Sequence, residues 1–101
     1  MTEQSGRNPE LDELAEDLRA RGLGEGVDFF VAGRSPVDLS SEYIGIRKFD
    51  DGGYEVWYRG DWGTDKILVD RADFDAARQV FVEEAVRLAQ GRWGSKVGRK
   101  A

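Results

Sequence analysis

The strongest constraint on this chain is the segment 43–59, where two alternating runs, Tyr43–Phe49 and Tyr54–Arg59, flank Asp50-Asp51-Gly52-Gly53. Alternation with a period of two, carried by aromatic and β-branched residues, suits a strand whose two faces meet different surroundings. The paired glycines accept the positive φ that a tight connection needs. A β-hairpin follows, and the rest of the chain has to fit the sheet it starts. Tyr54, Val56 and Tyr58 share one face of the second run and Glu55, Trp57 and Arg59 share the other. One face is expected in the core, and the face of Trp57 is left to loop or solvent.

Two helical patterns bracket this hairpin. Asn8-Pro9 precedes Leu11, Leu14, Ala15 and Leu18, an apolar stripe behind a capping residue and a proline at the first helical position. Glu10, Asp12, Glu13, Glu16 and Asp17 occupy the opposite face, and the helix is expected to end near Gly22. The longer pattern runs from about Arg71 to Gln90, with Asp70 or Asp73 as its cap and Gly91 as its stop. Its apolar side carries Phe74, Ala77, Phe81, Ala85, Leu88 and Ala89. Between the helices, Val27, Phe29 and Val31 alternate as a further strand, and 34–41 read as a loop. Lys66–Val69 form a short strand after the break at 60–65. The order α-β-β-β-β-α predicts an α+β fold with an antiparallel meander of three or four strands and the long C-terminal helix packed on one sheet face.

Composition sets the outer bounds. A chain of 101 residues, 40% hydrophobic and 35% charged, can bury one core and is too apolar to be disordered. The reading is a single domain over residues 1–91, with 1–7 frayed and a basic flexible tail over 92–101. No apolar run approaches the roughly 20 residues needed to span a bilayer, and the N-terminal segment lacks a signal-type stretch, so a cytoplasmic protein without membrane contact is expected.

Function is constrained first by what is missing. Histidine and cysteine are both absent, which removes the usual general base near neutral pH, thiolate nucleophiles and the common zinc and iron ligands. No dinucleotide fingerprint or P-loop is present, no pair of carboxylates stands out as a glycosidase couple, and the acids of 61–65 lack the alternation of a calcium loop. A non-catalytic protein without cofactor or metal is the expectation.

The net charge of −5 is unevenly placed. Arg92, Lys96, Arg99 and Lys100 fall in the last ten residues, and setting those four positive charges aside leaves about −9 for residues 1–91. Such a body repels phosphate backbones and attracts basic surfaces, which argues against nucleic acid and for a protein partner with a basic surface. The order of elements resembles a double-stranded-RNA-binding domain, but the start of the last helix, Asp70-Arg71-Ala72-Asp73-Phe74-Asp75, is acidic where such domains meet phosphate.

Tryptophan, tyrosine and arginine are the side chains enriched at the energetic centres of interfaces. Trp57 and Arg59 on the hairpin and Trp62 in the following turn are therefore the candidate contact residues, with Asp50, Asp51, Glu55, Asp61 and Asp65 as the acids expected around them.

The helix ending in Arg21-Gly22-Leu23-Gly24, the hairpin Gly52-Gly53-Tyr54-Glu55-Val56-Trp57-Tyr58, and Phe74 with Ala77 in the closing helix resemble the small immunity proteins of bacterial polymorphic-toxin systems. The resemblance covers roughly residues 10–90. It implies an antitoxin-like inhibitor that binds a cognate toxin domain and blocks its active-site cleft by direct occlusion. The residues leave open a phage-encoded inhibitor of a host defence protein, an acidic secretion chaperone and a double-stranded-RNA-binding-like module. They also leave open whether the chain is a monomer or a small homo-oligomer.

Overall fold

The computed structural model describes residues 8–35, 42–60 and 65–94. Helix α1 spans Pro9–Ala20. The Asn8 side chain accepts from the Glu10 and Leu11 amides at 2.9 and 3.3 Å, filling two of the hydrogen bonds that a helix start lacks. At the other end Gly22, with φ of 93°, closes the helix. Its amide donates to the Arg19 carbonyl and that of Leu23 to the Leu18 carbonyl, the paired bonds of a left-handed cap. Leu18 and Leu23 are both buried there.

A four-stranded sheet follows in the order β1-β2-β3-β4: β1 Phe29–Val31, β2 Tyr43–Lys48, β3 Tyr54–Arg59 and β4 Asp65–Ala72. The hairpin forms as expected. The Phe49 amide donates to the Gly53 carbonyl at 2.7 Å, and Gly52 adopts a φ of 95°. The antiparallel meander comprises β2, β3 and β4, whereas β1 pairs with β2 in parallel. A parallel neighbour needs a crossover of about a dozen residues, and residues 32–42 supply one; that length was the signal for it. Strand β4 is also longer than Lys66–Val69. Two register shifts against β3 and a positive φ at Arg71 (58°) break its ladder.

Helix α2 covers Phe74–Trp93. It starts three residues later than expected because 70–72 still belong to β4, and Asp73, not Asp70, is the cap, accepting from the Ala76 amide at 2.9 Å. Gly91 does not stop it. The helix continues to Trp93 and is capped by Gly94 (φ 111°), so Arg92 belongs to the folded body and not to a tail. Residues 95–101 lie outside the described residues.

Arg92 supplies the reason for the extension. It donates to the Asp28 carboxylate and the Val27 carbonyl, both at 2.9 Å, and to the Glu42 carbonyl at 2.8 Å. Asp28 is only 1% exposed. Charge-assisted bonds at a nearly buried carboxylate are together worth more than the roughly 1 kcal/mol that a helical glycine costs.

The core lies on one face of the sheet. Leu11, Leu14 and Leu18 of α1 and Ala77, Phe81 and Ala85 of α2 form one cluster with Phe29, Val31, Ile44, Ile46, Tyr54 and Val56. The Phe29 and Phe81 rings meet edge to face at 6.1 Å. The Tyr54 hydroxyl donates to Glu10 at 3.0 Å, fixing the start of α1 over β3. The alternate residues, Phe30, Tyr43, Gly45, Arg47, Glu55, Trp57, Arg59 and Ile67, point the other way, and none of them belongs to that cluster.

Candidate functional site

Strand register aligns the face turned away from the helices. Phe30 pairs with Gly45, Gly45 with Trp57, and Trp57 with Ile67, so one apolar row crosses all four strands. The Trp57 indole lies over Gly45: a Cβ on that glycine would stand 2.3 Å from Trp57 Cζ2. Only glycine leaves room for the ring to lie against the sheet. Phe30, Tyr43 and Trp57 then close a triangle of rings at 5.9, 6.1 and 6.4 Å, within the range of favourable aromatic contact. Ile67, at the end of the row, is 52% exposed.

Charged pairs flank the row on both sides. Toward one end Arg59 is ion-paired with Asp65, and its guanidinium lies 5.9 Å from the Tyr43 ring. The hydrogen bond to Asp65 raises the Arg59 pKa further, so it carries its charge throughout the accessible pH range. Toward the other end Arg47 bonds Glu55 at 2.8 Å. Phe49 there is flanked by the guanidinium groups of Arg47 at 4.8 Å and Arg71 at 4.0 Å, and Arg71 pairs with Asp51.

This geometry redistributes the expected contact residues. Trp57, Arg59, Glu55 and Asp65 come together on the face turned away from α1 and α2; Asp51 sits at the hairpin end and Asp50 is exposed in its turn. Asp61 and Trp62 lie outside the described residues. Glu55, Asp65 and Asp51 each face an arginine, so the described acids do not form one negative patch around Trp57. Phe30, Tyr43, Gly45 and Ile67 share this candidate face and were not singled out from the sequence. A glycine inside the run Tyr-Ile-Gly-Ile-Arg was the readable sign, because a glycine within a strand often marks a close approach.

Two other polar clusters lie away from this face. Arg34 bonds Glu25 at 3.0 and 3.2 Å and also reaches Asp12 and Glu16 of α1, while the Ser35 hydroxyl donates to Glu25 at 2.7 Å and accepts from the Val31 amide. Burial pushes the Glu25 carboxyl up, but the bonds from Arg34 and Ser35 and the nearby positive charges outweigh it and hold the pKa below the usual carboxylate range. This knot ties α1 to the end of β1.

The second cluster lines a groove of about 460 Å³ beside the C-terminal end of α2, with Ile44 and Leu88 among its apolar walls and Glu42, Tyr58 and Arg92 around it. The Tyr58 hydroxyl donates to Glu42. Among the described residues no three potential metal-binding side chains converge, and no helix is long and apolar enough to cross a membrane. No family model, no curated protein and no solved structure matches the chain.

Proposed function

We propose that this chain is a non-catalytic binding protein that occludes a cognate protein, in the manner of the immunity proteins it resembles, and that the sheet face turned away from α1 and α2 is its contact surface. The observation that supports this reading is the apolar row centred on Trp57, seated on Gly45 and bordered by arginine–carboxylate pairs. Aromatic anchors with a charged rim are the anatomy of a protein interface. Because the arginines next to Trp57 are matched by carboxylates, the face suits a partner surface of mixed charge around an apolar centre. The acids of α1 add long-range attraction toward a basic partner such as a toxin or effector domain with a basic cleft.

The test is recovery of a partner from the source cell on immobilised chain, followed by titration of the purified partner. Trp57→Ala is expected to weaken binding by about 30-fold or more, the loss typical of a central aromatic anchor, and Glu13→Lys on α1 is expected to slow association only at low salt. Unchanged affinity in Trp57→Ala would remove the proposed surface.

A further inference from the structure

The chain holds a single aspartate followed by glycine, Asp51-Gly52, and the fold sets it at the tip of the hairpin between β2 and β3. The Asp51 side chain is 59% exposed, and a Cβ on Gly52 would meet no atom within 4 Å. At such a pair the main chain reacts with its own side chain, because no side chain on the second residue shields its amide. The Gly52 nitrogen attacks the Asp51 carboxyl carbon and an N–C bond forms. One carboxyl oxygen leaves as water with the amide proton and the carboxyl proton, and a five-membered cyclic imide remains. Water then opens the ring. Opening at the Asp51 main-chain carbonyl gives isoaspartate, with one more methylene in the backbone and no net change in mass.

Every group in that step is held by a neighbour. Asp51 Oδ1 accepts from the Gly53 amide at 2.9 Å, Oδ2 accepts from Arg71, and the Gly52 amide donates to the Phe49 carbonyl at 3.0 Å. The bond from Gly53 is an ordinary Asx turn, local to the dipeptide. Arg71 comes from another strand, and its backbone is bent to reach the turn. Asp70 and Arg71 together oppose Glu55 alone, which is the second register shift of β4, and Arg71 takes a φ of 58° that a residue with a Cβ adopts only under restraint. Its guanidinium then lies 4.0 Å from the centre of the Phe49 ring and on the Asp51 carboxylate.

We infer that Asp51-Gly52 is a site of spontaneous backbone isomerisation, and that the Arg71 guanidinium, brought to the turn by the bulge of β4, holds the reaction in check. The added methylene lengthens the turn closed by the 2.7 Å bond between Phe49 and Gly53, and it moves the free carboxylate onto the Asp51 Cα, away from Arg71. This inference stands apart from the reading of the chain as a binding protein.

Incubation of the full chain at neutral pH tests it. The isoaspartate content of the tryptic peptide 49–59 is followed by reversed-phase separation and electron-transfer fragmentation. Wild type is expected to convert slowest, and the same chain unfolded in guanidinium chloride fastest. Arg71→Gly and Arg71→Asn both suit a left-handed backbone and remove the guanidinium. Each is expected, while folded by circular dichroism, to convert about three times faster than wild type, a factor within the range of a partly exposed ion pair. Added salt screens the pair, so it should speed wild type and leave the two variants unchanged. Asp51→Glu, which cannot close the five-membered ring, should abolish the product and so assign it to Asp51 and not Asp50.

Equal rates in wild type and the folded variants overturn the inference. So does a wild type that converts as fast as the unfolded chain, or salt that speeds wild type and variants alike. Should one variant fail to fold, the other and the salt series decide the matter.

Discussion

The two faces of one sheet are built from the same strands and do different work. On β3 the residues that meet the helices are Tyr54, Val56 and Tyr58, with Val56 fully buried, while those between them are Glu55, Trp57 and Arg59. The helix side is uniform, made of aliphatic and aromatic side chains closed over by Ala77, Ala85 and Ala89, whose small size lets α2 lie close to the sheet. The other side is segmented, an apolar row between two lines of ion pairs. The first pattern minimises contact with water; the second sets charge next to aromatic rings, the arrangement common at the contact surfaces of proteins.

The comparison breaks most visibly at Phe81. Phe81→Ala removes a fully buried ring from between α2 and β1 and is expected to cost about 3–5 kcal/mol, a large share of the stability of a domain this size. Trp57→Ala is expected to cost less than about 1.5 kcal/mol, since its ring is only partly buried. Urea denaturation of both proteins reads the contrast, and equal losses would mean that the Trp57 face is also core.

Gly45→Ala sharpens it from the other direction. A methyl group there collides with the indole, so Trp57 has to leave the sheet, with an expected loss of about 1 kcal/mol, no more than removing the ring outright. Tryptophan fluorescence should shift to the red, because the displaced ring meets more water. An unshifted spectrum would show that the indole had not moved.

The smallest effect lies away from both faces, in the Glu25–Arg34 knot. The Glu25 pKa is depressed in the folded state, so between the folded and unfolded values the unfolded chain binds more protons and stability rises with pH. The contribution, about 1 kcal/mol for a partly exposed charged pair, is present above the usual carboxylate range and lost as pH falls through the folded value. Wild type should therefore exceed Glu25→Gln at pH 7, and the gap should narrow on acidification below the usual carboxylate pKa.

Several local features were legible from residue type alone. Asn8-Pro9 and Gly22 marked both ends of α1, Gly52-Gly53 marked the hairpin turn, and the stripe of Phe74, Ala77, Phe81 and Ala85 marked the buried side of α2. Gly91 misled because glycine is only a modest helix breaker, and the bonds from Arg92 to Asp28 and to two carbonyls from distant segments carry the helix past it. The candidate face was half legible: Trp57 and Arg59 share it, but the acids near them face arginines whose positions depend on register.

The sequence by itself determined the elements, their order, the missing histidine and cysteine, and the division of β3 into an apolar and a mixed side. These depend on neighbours a few residues apart, where period and capping act. Only the tertiary structure decided that β1 runs parallel to β2 and that Phe30, Gly45, Trp57 and Ile67 form one row. The same holds for the acids of the hairpin, which meet arginines within the chain. Register across strands is set by packing the whole sheet against two helices, and a shift of one residue would send every side chain to the opposite face.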